Sequence, residues 1–169
     1  MIHFNSDEFK AWHEVGHATV CLHLGGDLDR IEFLNADAQG FAVARGCYVM
    51  PETEKSVACG GFAAEFYLLN AGCVDGVDLN TQKGIEEASN HVFSNAWRDL
   101  QDFLGRSVTE DNDFTKEEKE KFMNYAIEHV SPIFNLYFKK MKLVVSELLA
   151  ERTIDGKRVR ELLQIGITR

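Results

Sequence analysis

Ala11-Trp12-His13-Glu14-Val15-Gly16-His17-Ala18 is the stretch on which the reading of this chain turns. Its two histidines stand four residues apart, so on a helix they lie one above the other on the same face. Both imidazoles can then reach one metal ion. The surroundings support a helix. Asn5 is a candidate N-cap, with Glu8 reaching back as in a capping box, and Phe4 and Phe9 are placed to staple that start. Gly25-Gly26 ends the run. Between Trp12 and Leu24 most residues are apolar or small, the exceptions being His13, Glu14, His17, Thr19 and His23. A helix apolar on nearly every side is a buried helix. Buried imidazoles and a buried carboxylate need partners. A metal supplies them; the plainer alternative is a core helix whose histidines bond to backbone carbonyls.

The letters His13-Glu14-x-x-His17 are the H-E-x-x-H pattern of zinc-dependent hydrolases. Glu14 follows the first histidine by about 100° round the helix, close enough to hold a water on the metal. Gly16 costs about 1 kcal/mol in a helix interior relative to Ala, which a close approach by another backbone would explain.

Composition narrows the field. The chain has 169 residues, 45 % hydrophobic and 27 % charged, which fits one globular domain over 1–169 with a substantial core. A net charge of −9 argues against general nucleic-acid binding, which needs a basic footprint. No apolar run reaches the roughly 18 residues of a membrane span, and no G-x-x-x-x-G-K-[ST] loop is present, so neither a membrane nor ATP is expected as a partner. Cys21, Cys47, Cys59 and Cys73 contain no C-x-x-C pair. They read as four reduced core thiols in a cytoplasmic protein rather than as a cysteine zinc site.

Taken in order, Ile31 and Phe33 alternate with Arg30 and Glu32 as in a half-buried strand. Residues 35–40 are turn-rich. Residues 41–45 form a second strand, continued by 47–50 past a bulge at Gly46. This strand is a candidate edge for holding an extended substrate, or merely a cover for the core. A helix is expected from Glu54 to Asn70, capped by Thr53, with Gly60-Gly61 grooved for a neighbour such as the helix of Gly16. Glu65 lies in its apolar part and could accept from the outer nitrogen of a metal-bound histidine, or reach the rim. Thr81 to Leu104 returns to a helical pattern. Asp99 sits in the middle of its apolar stripe, at about 320° on a wheel starting at Ile85, and Asp102 near the edge. Zinc hydrolases with this motif need a third protein ligand. Asp99 is the first candidate and Asp78, in the preceding loop, the second. Thr115 and Glu118 make a capping box for a helix to about His129, Ser131-Pro132 restarts one, residues 153–156 are a turn, and Val159, Leu162 and Leu163 mark a last short helix. The expected fold is mainly α with a small β-sheet (α+β). His3, His23, His91 and His129 read as surface or core residues.

Four segments together resemble the peptidase domain of the FtsH-type zinc proteases. Residues 11–18 are similar to that family's A-[YF]-H-E-A-G-H-A, and Gly60-Gly61-Phe62-Ala63-Ala64-Glu65 to its G-G-R-A-A-E. Asn95-Ala96-Trp97-Arg98-Asp99-Leu100 is similar to G-A-x-N-D-[LI], and residues 148–156 to the closing L-L-E-x-E-T-L-D-G. The resemblance implies a zincin-like helical fold, zinc ligands His13, His17 and Asp99, and Glu14 as the catalytic carboxylate. It departs from that family in lacking the motor and anchor and in a longer interval between Glu65 and Asp99. The activity implied is a metalloendopeptidase with one Zn2+ per chain, acting on peptides or unfolded protein segments. The competing expectation is a zinc-binding regulatory or interaction module without turnover. Oligomeric state is not legible.

Overall fold

Ser6, rather than Asn5, begins the helix that carries the motif. In the computed structural model, which describes residues 1–34, 41–109 and 113–166, Asn5 has a φ of 60°, and it is the Ser6 side chain that accepts the Phe9 N–H, at 3.1 Å. The Phe4 and Phe9 rings still meet edge-on with centroids 5.2 Å apart. Helix α1 spans Asp7–His23 and is buried over most of its surface.

Strands β1 (Arg30–Leu34), β2 (Phe41–Arg45) and β3 (Thr153–Asp155) form an antiparallel sheet in the order β2-β1-β3. Ile31 pairs with Ala44 on one side and with Ile154 on the other. The third strand stands where a turn was expected. Ile154 alternates inward between two exposed neighbours, and the turn chemistry belongs to the junction that follows, where Asp155 caps helix α8 (Gly156–Leu163) by accepting the Arg158 N–H. The extension of β2 to Met50 is not a strand. Beyond Gly46 only Asp27 and Tyr48 make an isolated bridge. The turn expected over 35–40 lies outside the described residues.

Two expected long helices are each broken. The stretch from Glu54 to Asn70 is α2 (Glu54–Ala58) and α3 (Gly60–Asn70), entered through a 3-10 turn at Pro51–Thr53, and Thr53 makes no side-chain cap. The break falls where Gly60 presses on α1. A Cβ on Gly60 would lie 2.7 Å from the Cα of His17, and one on Gly16 would collide with the Gly60 carbonyl. The expected groove is therefore present, and α1 and α3 cross backbone to backbone. The stretch from Thr81 to Leu104 is α4 (Gln82–Asn95), capped by Thr81, and α5 (Trp97–Leu104), divided at Ala96.

Helix α6 (Lys116–Tyr125) starts with the expected Thr115–Glu118 capping box. The helical path does not stop near His129, where an end was expected. The chain passes through a π turn at Ala126–Val130 into α7 (Ser131–Glu151). Pro132 has no N–H to give the preceding turn, which widens instead of ending. Ser131 Oγ is buried without a hydrogen-bond partner rather than capping. Buried residues of α1, α3 and α7 share one apolar core with Ile31 and Ile154 of the sheet. No helix among the described residues is long and apolar enough to cross a membrane.

Cys21 of α1 and Cys47 beyond β2 form a disulfide, while Cys59 and Cys73 are free. This corrects the expectation of four reduced thiols. Spacing along the chain said nothing of this pair, because β2 is brought over α1 only by the fold. Such a bond fits an oxidising compartment better than the cytosol.

Candidate metal centre

The i, i+4 spacing on α1 brings the His13 and His17 Nε2 atoms within 3.1 Å of each other. Each outer nitrogen is fixed. His13 Nδ1 meets Glu65 Oε1 of α3 at 2.8 Å, and His17 Nδ1 donates to the Val57 carbonyl at 2.7 Å. Val57 lies in the last turn of α2, whose carbonyls lack partners within the helix. A carbonyl only accepts, so His17 Nδ1 must carry the hydrogen, and in the neutral ring Nε2 is then a lone pair. The same follows at His13 opposite an ionised Glu65. Gly61 makes room for this arrangement, since a Cβ there would strike the His13 ring.

Asp99 completes the group. It stands in the first turn of α5, and the break at Ala96 lets that turn close over α1. Its Oδ2 lies 3.2 Å from His13 Nε2 and its Oδ1 3.3 Å from His17 Nε2. Ligand atoms of His13, His17 and Asp99 all fall within 4.8 Å of one another. Asp78 is elsewhere, accepting from the Asn80 backbone and side chain. Asp102, one turn further along α5, is exposed and lines the same cleft.

Three electron-pair donors facing one point repel each other unless a cation, or protons, lie between them. The donor set fits a divalent zinc ion, which takes imidazole nitrogen and carboxylate oxygen in a tetrahedral shell with one position open. Two further observations agree. Asp99 Oδ2 is buried without a hydrogen-bond partner, and Glu65, fully buried, orients the His13 ring from behind. The electrostatics of the metal-free site show the same competition. Burial opposes charge on both rings, yet Asp99, joined at His13 by Glu65, outweighs it and raises both histidines, His13 well above its ordinary value. Burial also works against the Asp99 carboxylate, but the two imidazoles hold it below the usual carboxylate range. At Glu65 burial wins, and its carboxyl is raised.

Glu14 points from α1 towards the sheet. Its Oε2 accepts the Ala44 N–H of β2 at 2.7 Å. The cleft over the triad is bordered by Glu14, by residues 42–44 of β2 and by Trp97 and Arg98 of α5. Three contributors left no trace in the sequence: the Val57 carbonyl, the Ala44 amide, and Asn95, whose side chain donates to Glu65 Oε1. Two are backbone groups, and Asn95 reads as an ordinary polar residue at a helix end. Of the histidines set aside, His91 stacks on Phe4 and His23 contacts Tyr137.

A family model described as Peptidase M50B-like matches residues 10–66. The matched stretch runs from just before His13 to just past Glu65 and leaves out Asp99. No curated protein matches the chain. The segment from α1 to α3 is thus similar to a metallopeptidase family whose own members use zinc. That family is not the FtsH type that the four sequence segments resemble.

Proposed function

We propose that this chain is a zinc-dependent endopeptidase of the H-E-x-x-H class, with an FtsH-like ligand set of His13, His17 and Asp99 and with Glu14 as its catalytic carboxylate. The single observation that carries the reading is the convergence of three electron-pair donors whose outer contacts aim them at one point. Zinc, when bound there, supplies a Lewis acid that polarises the scissile carbonyl and lowers the pKa of water at its open position to about 7. The chain's own residues do the rest. Glu14 takes the proton of the attacking water and returns it to the leaving amine. Glu65 and the Val57 carbonyl keep both imidazoles turned inwards.

The substrate class follows from the edge strand. β2 lies at one side of the sheet, and its free side borders the cleft. An extended chain can add to such an edge by main-chain pairing, which suits a peptide or an unfolded protein segment.

The test is hydrolysis of unstructured peptides by zinc-loaded protein, with a chelator control and with Glu14→Gln. General-base assistance contributes about 10²–10⁴-fold, so turnover should fall by that order in Glu14→Gln while zinc stays bound. Equal cleavage by the variant would remove Glu14 from the mechanism. A zinc-loaded wild type that cleaves no peptide in a broad library would instead favour a binding or regulatory module.

A further inference from the structure

The hydrogen bond between Glu14 and β2 comes from the pairing register. Phe33 of β1 donates its N–H to Arg152, on the side away from β2. The Phe33–Ala42 pair is therefore one of the non-hydrogen-bonded pairs of the β1–β2 ladder, and so is Ile31–Ala44, two residues along. The backbone groups of Ala42 and Ala44 accordingly face outwards, off the edge. An outward amide on an edge strand ordinarily belongs to water or to a pairing chain. At Ala44 it belongs to Glu14 Oε2, at 2.7 Å.

Two features hold this contact in place, helix packing on one side and a disulfide on the other. Glu14 follows His13 on a helix that packs backbone to backbone on α3 at Gly16, His17 and Gly60. On the strand side, Cys47 follows Ala44 by three residues and is bonded to Cys21, one helical turn beyond His17. β2 is thus tied to the motif helix at two points, one a disulfide and the other the Ala44–Glu14 bond.

We propose that the Ala44 N–H of the edge strand is the positioning group for Glu14, fixing one carboxylate oxygen so that the other faces the triad. This role presupposes the peptidase reading above. It assigns the strand a second task besides lining the cleft. An extended substrate adding to the same edge finds the Ala44 amide already taken, and pairs instead through the backbone groups of Ala42.

The experiment has one arm that does not use activity. Amide exchange is measured residue by residue on zinc-loaded protein, wild type against Glu14→Ala. The expected result is an Ala44 amide protected in wild type and exchanging at least about tenfold faster in the variant, while the laddered amides of Val43 and Arg45 keep their rates. An Ala44 rate that is the same in both proteins overturns the proposal. The second arm replaces Ala44 by lactic acid, which turns the amide into an ester, deletes the N–H and keeps the methyl group. Hydrogen bonds to a charged partner are worth enough that kcat should fall by about tenfold to a hundredfold. KM, zinc content and melting temperature should hold. A kcat unchanged by the ester, or a loss confined to KM or to stability, overturns the positioning role. No cleavage by the wild type defeats the peptidase reading, and with it that role, whereas the exchange arm still decides whether the strand holds the carboxylate.

Discussion

His13 and His17 reach the centre from one turn of a single helix, whereas Asp99 reaches it from a short helix that begins at a break. The two halves of the site are built differently. On the α1 side every member is locked: each ring has an outer partner, Gly61 clears room for His13, and the Gly16–Gly60 crossing holds α1 against α3. On the α5 side Asp99 depends on how α4 and α5 meet at Ala96, and its Oδ2 has no hydrogen-bond partner. Two of the proposed ligands are therefore set by helix spacing and the third by tertiary packing. The α1 side should hold its shape without metal, and the α5 side should respond to it.

The largest effect that would break this comparison is on metal content. His13→Ala and His17→Ala should each abolish zinc binding, measured as zinc per chain on protein purified without a histidine tag. Full occupancy in the double variant would remove the site altogether. Asp99→Ala comes next, and should weaken zinc more than Asp102→Ala or Asp78→Ala in a chelator competition. A smaller loss for Asp99 than for either neighbour would move the third ligand. Glu65→Gln should cost about 10–100-fold in zinc affinity, the usual scale for the partner of a ligating histidine.

The crossing itself can be sharpened by Gly16→Ala. The added methyl meets the Gly60 carbonyl and the Ala64 methyl, and overpacking of a tight core costs about 1–3 kcal/mol. Better helix propensity returns about 1 kcal/mol, so a net loss is expected in chemical denaturation. A stabilised variant would show that the helices have room to part.

What could be read in advance divides along the same line. The motif helix, its staple, the glycine crossing and the α+β class all follow from local spacing and apolar pattern. Breaks do not. The pattern from Thr81 to Leu104 is nearly continuous, and nothing in it marks Ala96, so the wheel that placed Asp99 on the apolar stripe assumed one helix where there are two. The third strand was hidden behind Asp155-Gly156, turn residues that serve as a helix cap. The disulfide and the two backbone partners, the Val57 carbonyl and the Ala44 amide, depend on contacts between distant segments and leave no mark in the sequence.

Zinc affinity and the stability of the metal-free protein respond to pH in opposite directions. Without metal both histidines are raised, so protons occupy the centre up to a higher pH than free imidazoles would allow. Zinc affinity should rise with pH through those values, by up to about two protons per metal, and level above them. The metal-free protein goes the opposite way. The raised histidines stabilise it fully below their unfolded value of about 6.5, and that contribution is lost as pH climbs through the raised folded values. Titration of both quantities between pH 5 and 9 would test the pair; an affinity independent of pH would contradict it. A smaller effect still concerns the strap on β2. Thiol titration of denatured, unreduced protein should find two free thiols, Cys59 and Cys73, rather than four.

The most direct test of the centre is X-ray absorption at the zinc edge on tag-free, zinc-loaded protein. The geometry predicts about one zinc per chain in a shell of nitrogen and oxygen only, with the outer-shell scattering of two imidazoles. In Asp99→Ala the two imidazoles should persist in whatever zinc remains, with one protein oxygen replaced by solvent. Sulfur in the first shell, a single imidazole, or no zinc at all would contradict a centre built from His13, His17 and Asp99.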